Sequence, residues 1–235
     1  MLCQFTVKNF KSIRDEVTFD MQAAAISEHE DRIIIDKDEE KYLPVSAIYG
    51  PNGGGKSNVL AALHTLVAKV LRPLLATEDS EEKVLLQKKI IVEPFAFSES
   101  KDEPTEFELF FRTDLSEYRY ILHVKRDIVL YESLDRVKLE TGRRSALFIR
   151  DENGIILKGA FARLKVSNEL SKTLTLLSYL GIAYKENAVV KDVLGWFEYR
   201  IEFLNYGNPI QELRMAVSTS EEVKQLMLQM IQEMD

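Results

Sequence analysis

The order of patterns along the chain predicts an α/β fold in which a glycine-rich loop joins a strand to a helix. The apolar run at 43–49 has the length of a buried strand and ends in glycines, and from Ser57 apolar residues recur at steps of three and four. Between about 90 and 156 apolar and polar residues alternate, as is typical of an antiparallel sheet.

Composition narrows the class of protein. The chain has 235 residues, 46% hydrophobic and 29% charged, which excludes disordered and fibrous proteins. Its 31 Lys and Arg against 38 Asp and Glu give a formal net charge of −7, which argues against a surface that coats nucleic acid. No uncharged apolar run reaches the roughly 18–20 residues of a membrane span, and a polar break comes too early for a secretory signal. We therefore expect a cytoplasmic protein.

The first predicted unit, residues 1–89, combines a β-hairpin with the glycine-rich loop. Residues 1–20 alternate around a polar break at 8–12, which predicts two short strands joined by a turn that bury Cys3. An acidic stretch at 28–41 separates them from the strand at 43–49. The helix that begins at Ser57 should be kinked or ended by Pro73.

Two further units are predicted after it. Residues 90–160 form an antiparallel β-subdomain with a turn at 151–154, and residues 161–235 form a helical arm whose pattern starts near 168. The last helix has a capping box at 219–222 and an apolar stripe made of Val223, Leu226, Met227, Met230, Ile231 and Met234. We expect this stripe to be buried, either on the chain's own helical arm or against a missing lobe or second subunit.

One segment carries recognisable chemistry. Residues 50–57 match G-x-x-x-x-G-K-[ST] between a predicted strand and a predicted helix, which is the context of a phosphate-binding P-loop. Backbone N–H groups and the helix N-terminus would face the phosphates. Lys56 would reach the β- and γ-phosphates, and Ser57 would ligate Mg²⁺. A glycine-rich turn without a ligand is the alternative.

The variant of this loop carries a family resemblance. Gly-Pro-Asn-Gly-x-Gly-Lys-Ser-Asn, preceded by Val-Lys-Asn-Phe-Lys-Ser at 7–12, resembles the ABC-type ATPases of the SMC, RecF and Rad50 group. The segments at 94–97, 103–107 and 118–120 resemble the bacterial abortive-infection ATPases of anti-phage defence, relatives of the ATPase domain of OLD nucleases. The resemblance implies the N-terminal lobe of such an ATPase, with an antiparallel β-subdomain and the start of a helical arm, and ATP and Mg²⁺ as ligands.

The resemblance also implies which residues bind nucleotide. These are Gly50, Pro51, Asn52, Gly53, Gly54, Gly55, Lys56, Ser57 and Asn58, joined by Lys11 or Ser12 from the N-terminal turn. For Lys11 and Ser12 an exposed polar turn is an equal alternative. Gly54 departs from the family pattern, because relatives commonly carry Ser there. Glycine in place of that serine removes a hydroxyl from the loop.

Other elements of ABC-type hydrolysis are not found. The string Ile-Ile-Ile-Asp-Lys-Asp-Glu-Glu at 33–40 is similar to a Walker B segment but precedes the P-loop, so we predict a surface insertion. Residues 177–181 faintly resemble the signature motif, and we predict instead a helix end capped by Gly181. Gln87 lies in a polar stretch and receives no role. The catalytic residues are therefore unknown, and we expect them in a further part of a longer chain or in a second polypeptide.

Remaining motifs have plainer interpretations. The three histidines, His29, His64 and His123, have no metal-ligand spacing. The basic pairs at 125–126 and 143–144 are predicted to be solvated surface charge. A P-loop kinase would need an arginine-bearing lid unlike the β-rich middle, and no Asn-Lys-x-Asp motif for guanine occurs.

The expected function is an ATPase subunit that forms a homo-oligomer. Two copies would sandwich ATP, and the closed dimer would control an effector, in the resembled family often a nuclease or toxin. The alternative is a nucleotide sensor or scaffold that never hydrolyses. Nucleic-acid binding is possible but unsupported, and no membrane partner is expected.

Overall fold

The computed structural model describes residues 1–25, 30–75, 90–97, 102–167 and 170–203, together with Gln225. The chain divides into two compact units, Met1–Arg200 and Ile201–Asp235, and the second lies almost wholly outside the described residues. The predicted last helix with its apolar stripe, Gln87 and His29 also lie outside them. The fold below is that of Met1–Arg200.

Nine strands among the described residues form two sheets. The strands are β1 (Leu2–Lys8), β2 (Val17–Asp20), β3 (Ile34–Ile35), β4 (Lys41–Tyr42), β5 (Thr105–Arg112), β6 (Ser116–Lys125), β7 (Ile128–Lys138), β8 (Arg144–Asp151) and β9 (Gly154–Leu157). Seven of them pair antiparallel in the order β2-β1-β5-β6-β7-β8-β9, and β3 pairs with β4 alone. This confirms the N-terminal hairpin and the antiparallel β region, which join in one sheet. The division of the chain at 89 and 160 stays a prediction.

In the described part of the chain, three α-helices accompany the seven-stranded sheet. They are α1 (Lys56–Leu75), α2 (Leu176–Ala183) and α3 (Ala188–Tyr199), with short 3₁₀ turns at Glu30–Arg32 and Gly159–Phe161. α1 begins where the sequence predicts, and Pro73 lies inside its last described turn. The helical pattern expected from 168 starts later, because Thr175 is the N-cap of α2 and accepts from the backbone N–H of Ser178.

The helices bury their apolar faces together with one face of the seven-stranded sheet. Alternate residues of β5 and β6 are fully buried, and Phe111 of β5 contacts the rings of Trp196 and Phe197 of α3 at 4.5 and 5.5 Å between centroids. Val59, Ala62, Leu63, Leu66, Val67 and Val70 form the buried face of α1. Burial of these side chains is the main stabilisation of the fold.

α1 is the described helix that is long and apolar enough to cross a membrane, by length and composition alone. A buried helix in the core of a soluble protein passes the same test, so the finding is weak evidence for a membrane. Because α1 begins inside the glycine-rich loop and packs on the sheet, we interpret it as a core helix.

The structure corrects the role of Gly181. The sequence predicts that it caps a helix end, but Gly181 lies inside α2, whose C-cap is Tyr184. A Cβ on Gly181 would lie 2.6 Å from Cδ2 of Leu74 and 2.5 Å from Cδ1 of Leu194. The glycine is therefore needed where α1, α2 and α3 approach one another closely.

The buried strand predicted at 43–49 is wrong for this structure. These residues form no strand, and the side chains of Val45 and Tyr49 are 77% and 91% exposed. A β-strand requires hydrogen-bonded neighbours, and no described strand pairs with this segment. The apolar pattern of 43–49 is therefore not expressed as a strand in the part of the chain that the structure describes.

A buried carboxylate fastens α2 to the sheet. Glu132 of β7 is fully buried, and its oxygens accept the backbone N–H groups of Leu176 and Leu177 and the hydroxyl of Tyr120. Burial raises the pKa of this carboxyl, while the two backbone N–H groups, the guanidinium of Arg150 at 3.8 Å and Tyr120 oppose that rise. The first turn of α2 thus has its N–H groups satisfied by a side chain from another element.

We predict that Glu132→Gln destabilises the protein by about 3 kcal/mol. The glutamine amide has one accepting oxygen where the carboxylate has two, and it leaves the guanidinium of Arg150 without the negative charge of Glu132. Urea unfolding followed by circular dichroism measures the change. Tyr120→Phe removes a single hydrogen bond and should cost only about 1 kcal/mol. Equal costs for the two variants would contradict this account of the anchor.

Candidate nucleotide-binding site

The loop at 50–55 leaves an open space in front of the N-terminus of α1. Gly53 and Gly55 have φ angles of +80° and +83°, which side chains rarely adopt, and a Cβ on Gly53 would meet nothing within 4 Å. A Cβ on Gly54 would lie 3.0 Å from the carbonyl oxygen of Pro51. A serine at this position would therefore require a small shift of that carbonyl.

Lys56 lies across the loop. Its ammonium donates to the carbonyl oxygens of Gly50 and Pro51, each at 2.8 Å. An ammonium has three N–H donors, so the group can exchange these carbonyl partners for phosphate oxygens at the mouth of the loop. The position of Lys56 fits the phosphate-binding role that the motif predicts.

The first turn of α1 presents the other predicted residues. Ser57 is exposed there, and Asn58 donates its backbone N–H to the carbonyl oxygen of Gly55 at 2.8 Å. Pro51 and Asn52 are exposed on the loop itself. These placements are compatible with phosphate and Mg²⁺ contacts, and the roles themselves stay predictions.

The N-terminal turn reaches this loop through Ser12. The side-chain amide of Asn58 donates to Ser12 Oγ at 2.6 Å, and a Cβ on Gly55 would lie 3.0 Å from the same oxygen. Lys11 is placed differently, since its ammonium lies 5.5 Å from the centre of the Phe10 ring. Of the two residues that the resemblance implies, the structure brings Ser12 into contact with the P-loop helix.

Sequence reasoning missed Asn9, which shapes this turn. Asn9 is fully buried with a φ of +55°, and its side chain bonds backbone groups of two other segments. The available signal was an asparagine directly after a strand, since asparagine tolerates the left-handed conformation that tight turns need.

The Walker B-like string at 33–40 has a structural role. Asp36 and Asp38 bind the guanidinium of Arg112, which is 6% exposed, at 2.7–3.0 Å, and Glu117 binds the same group at 2.7 Å. Hydrogen bonds from Arg112 hold the pKa of the Asp38 carboxyl below its usual range. The ion pairs tie the insertion to β5 and β6, as expected for a surface insertion and not for a catalytic strand.

The described residues contain no group of three or more His, Cys, Asp or Glu side chains arranged to hold a metal ion. That Ser57 ligates a nucleotide-bound Mg²⁺ stays a prediction from the motif. Cys3 is buried, and burial raises the pKa of its thiol to about 11, so it is not a metal-binding thiolate.

An open glycine-rich loop, a lysine across it and a serine in the first turn of the following helix define a nucleotide-binding domain of the P-loop class. A family model described as "AAA domain, putative AbiEii toxin, Type IV TA system" matches residues 45–179, more than half of the chain. The chain belongs to this family of P-loop ATPases, whose domains are typically soluble and use ATP and Mg²⁺. No curated protein matches it significantly.

The family match does not assign the chain to the SMC, RecF and Rad50 group or to the OLD-like subfamily. At the level it does reach, a P-loop ATPase with a mixed α/β fold, the prediction from the sequence is confirmed. The largely antiparallel sheet agrees with the predicted β-subdomain.

We predict that Arg112→Met lowers the free energy of unfolding by about 3–5 kcal/mol at pH 7, because three carboxylates lose their shared counter-charge. The stabilisation from Asp38 is present above its unfolded-state pKa, near 4, and is lost as the pH falls through its lowered folded-state pKa. The difference between wild type and variant should therefore narrow in acid.

Urea unfolding at pH 7 and at pH 3.5 tests this expectation. Arg32→Met is the matched control, because Arg32 pairs with Asp31 on the surface and should be replaceable without measurable loss. A difference that stays constant or widens in acid would show that the three carboxylates are not the source of the stability.

Proposed function

We propose that this chain binds ATP with Mg²⁺ at residues 50–58 and hydrolyses it in an assembly that supplies the remaining catalytic groups. The observation that carries the proposal is the open loop with Lys56 across it, at the N-terminus of a helix that the core holds in place. Membership of the P-loop ATPase family supports nucleotide binding. Hydrolysis is the further step, for which no catalytic carboxylate is assigned.

The assembly we propose is an ATP sandwich formed by two copies. The whole stretch 44–54 is exposed, so the loop has an open side on which a second copy or lobe could close over the phosphates. Catalytic groups from that second body would then polarise the attacking water. ATP would stabilise the closed dimer through its higher affinity for that state, and hydrolysis would reset it.

We further propose that the closed dimer controls an effector in anti-phage defence. The family description names a putative AbiEii toxin and a type IV toxin–antitoxin system, and the resemblance of 94–97, 103–107 and 118–120 to abortive-infection ATPases agrees with it. A toxin or nuclease in the cytoplasm is the partner that fits both. The net charge of −7 lends no support to direct nucleic-acid binding.

A second candidate function is a nucleotide sensor or scaffold without hydrolysis. It is favoured by the finding that the acidic string at 33–40 holds Arg112 and is not available as a catalytic strand end. Phosphate release by the complete protein separates the two candidates. Steady turnover that requires Lys56 supports the ATPase, and tight binding without turnover supports the sensor.

Lys56→Ala should reduce Mg²⁺-ATP affinity at least tenfold while leaving thermal stability unchanged, because its ammonium bonds exposed loop carbonyls and, with nucleotide bound, would bond phosphates. Isothermal titration calorimetry measures the affinity. Lys191→Ala, which removes an exposed lysine of α3, is the control and should bind as wild type does. Equal affinity of the Lys56 variant and wild type would reject the site.

Ser57→Ala should chiefly raise the Mg²⁺ concentration that nucleotide binding needs, because one metal ligand is lost while the backbone loop remains. The measurement is a Mg²⁺ titration at fixed ATP. Ser145→Ala on β8 serves as the control for loss of a hydroxyl. Superimposable titrations of the Ser57 variant and wild type would rule out Ser57 as the ligand.

Light scattering at micromolar concentration tests the dimer. We expect the mass of the particle to rise when Mg²⁺-ATP is added to the wild type and to stay unchanged for Lys56→Ala, because the nucleotide joins the two copies. A monomer under both conditions would contradict the proposed sandwich and leave nucleotide binding to be judged by calorimetry.

A further inference from the structure

Asn9 connects three separate segments of the chain. Its side-chain NH₂ group donates to the carbonyl oxygens of Glu103 and Pro104 at 3.0 and 3.2 Å, and its Oδ1 accepts the backbone N–H of Phe95 at 2.9 Å. Its own carbonyl oxygen accepts the hydroxyl of Thr105 at 2.5 Å. A fully buried side chain with all of these bonds made is rigidly held.

These bonds fix the conformation of the turn that follows. Asn9 and Lys11 both have left-handed backbones, with φ of +55° and +49°, and Phe10 and Ile13 exchange two backbone hydrogen bonds. The N–H of Lys11 donates to the carbonyl oxygen of Glu93 at 2.9 Å. Left-handed residues other than glycine persist only where their surroundings hold them, and here the hydrogen bonds of Asn9 are part of those surroundings.

The conformation of this turn determines where Ser12 lies. Ser12 Oγ accepts from the side-chain amide of Asn58 and lies beside Gly55 in the phosphate-binding loop. Because the oxygen already accepts this hydrogen bond, the hydroxyl proton remains available to donate in another direction. A phosphate oxygen in the open loop is a strong acceptor for such a donor.

We propose that Asn9 is a positioning residue for nucleotide binding: it holds the turn so that the Ser12 hydroxyl donates to a phosphate oxygen of the nucleotide in the P-loop. This rests on the proposed function of the loop. Asn9 itself is buried and touches no nucleotide, so its whole effect on affinity passes through Ser12. The start of β5 and the segment 93–95 are thereby connected to the phosphate site.

A double-mutant cycle on Mg²⁺-ATP affinity tests the proposal with the full chain. Ser12→Ala should weaken binding about tenfold, the effect of losing one hydrogen bond to a charged group. Asn9→Gly keeps the left-handed backbone but loses the side-chain bonds, and should weaken binding several-fold. The double variant should bind like Ser12→Ala alone, because Asn9 has nothing left to position.

A second pair of variants covers the case in which Asn9→Gly does not fold. Thr105→Val removes only the hydroxyl that donates to Asn9, and should weaken binding in wild type and have no effect in the Ser12→Ala background. Thr6→Val is the matched control, because Thr6 hydrogen-bonds Thr18 within the same sheet and away from the turn. Its affinity should equal that of wild type.

Losses that multiply in the double variants would overturn the proposal, since Asn9 would then act on the fold and not through Ser12. Unchanged affinity in Ser12→Ala, with binding still abolished by Lys56→Ala, would overturn it and leave the proposed function standing. If wild type binds no Mg²⁺-ATP, or binds it as tightly as Lys56→Ala does, both this proposal and the proposed function are overturned.

Discussion

The pairing of β1 with β5 is the constraint on which the rest of the molecule depends. The two strands are separated by about a hundred residues of chain, yet they pair from Leu2 with Phe111 to Lys8 with Glu106. A two-stranded hairpin alone is only marginally stable, and this pairing adds it to a sheet of five further strands. It also sets the end of β1 next to the beginning of β5, which is where the buried Asn9 finds its partners.

The P-loop helix is held by the same sheet. One side of α1 is buried with the inner face of the sheet and with α2 and α3, while its first turn is half-buried or exposed at the glycine-rich loop. The helix can keep its N–H groups turned to a ligand because its stability comes from the apolar side and not from its N-terminus. The N-terminal turn and the P-loop are thus positioned by the same buried core.

Local patterns predicted most of the elements and the loop, because they depend on nearby residues. The alternation in β5 and β6, the start of α1 and the motif at 50–57 are all visible in short windows of sequence. What sequence could not predict depends on contacts across the chain. The bonds of Asn9, the binding of Arg112 by Asp36 and Asp38, and the close approach at Gly181 each need partners distant in sequence.

The segment at 43–49 is apolar but exposed, and it lies directly before the P-loop. Its composition is that of a core strand, but Val45 and Tyr49 face solvent and the loop that follows is open. Exposing such apolar residues and an unpaired backbone costs free energy that pairing with a further strand would recover. Since this segment leads directly into the P-loop, any strand that paired with it would lie beside the phosphate-binding loop. In the proposed ATP sandwich, the pairing of 43–49 and the supply of catalytic groups would then depend on the same second body.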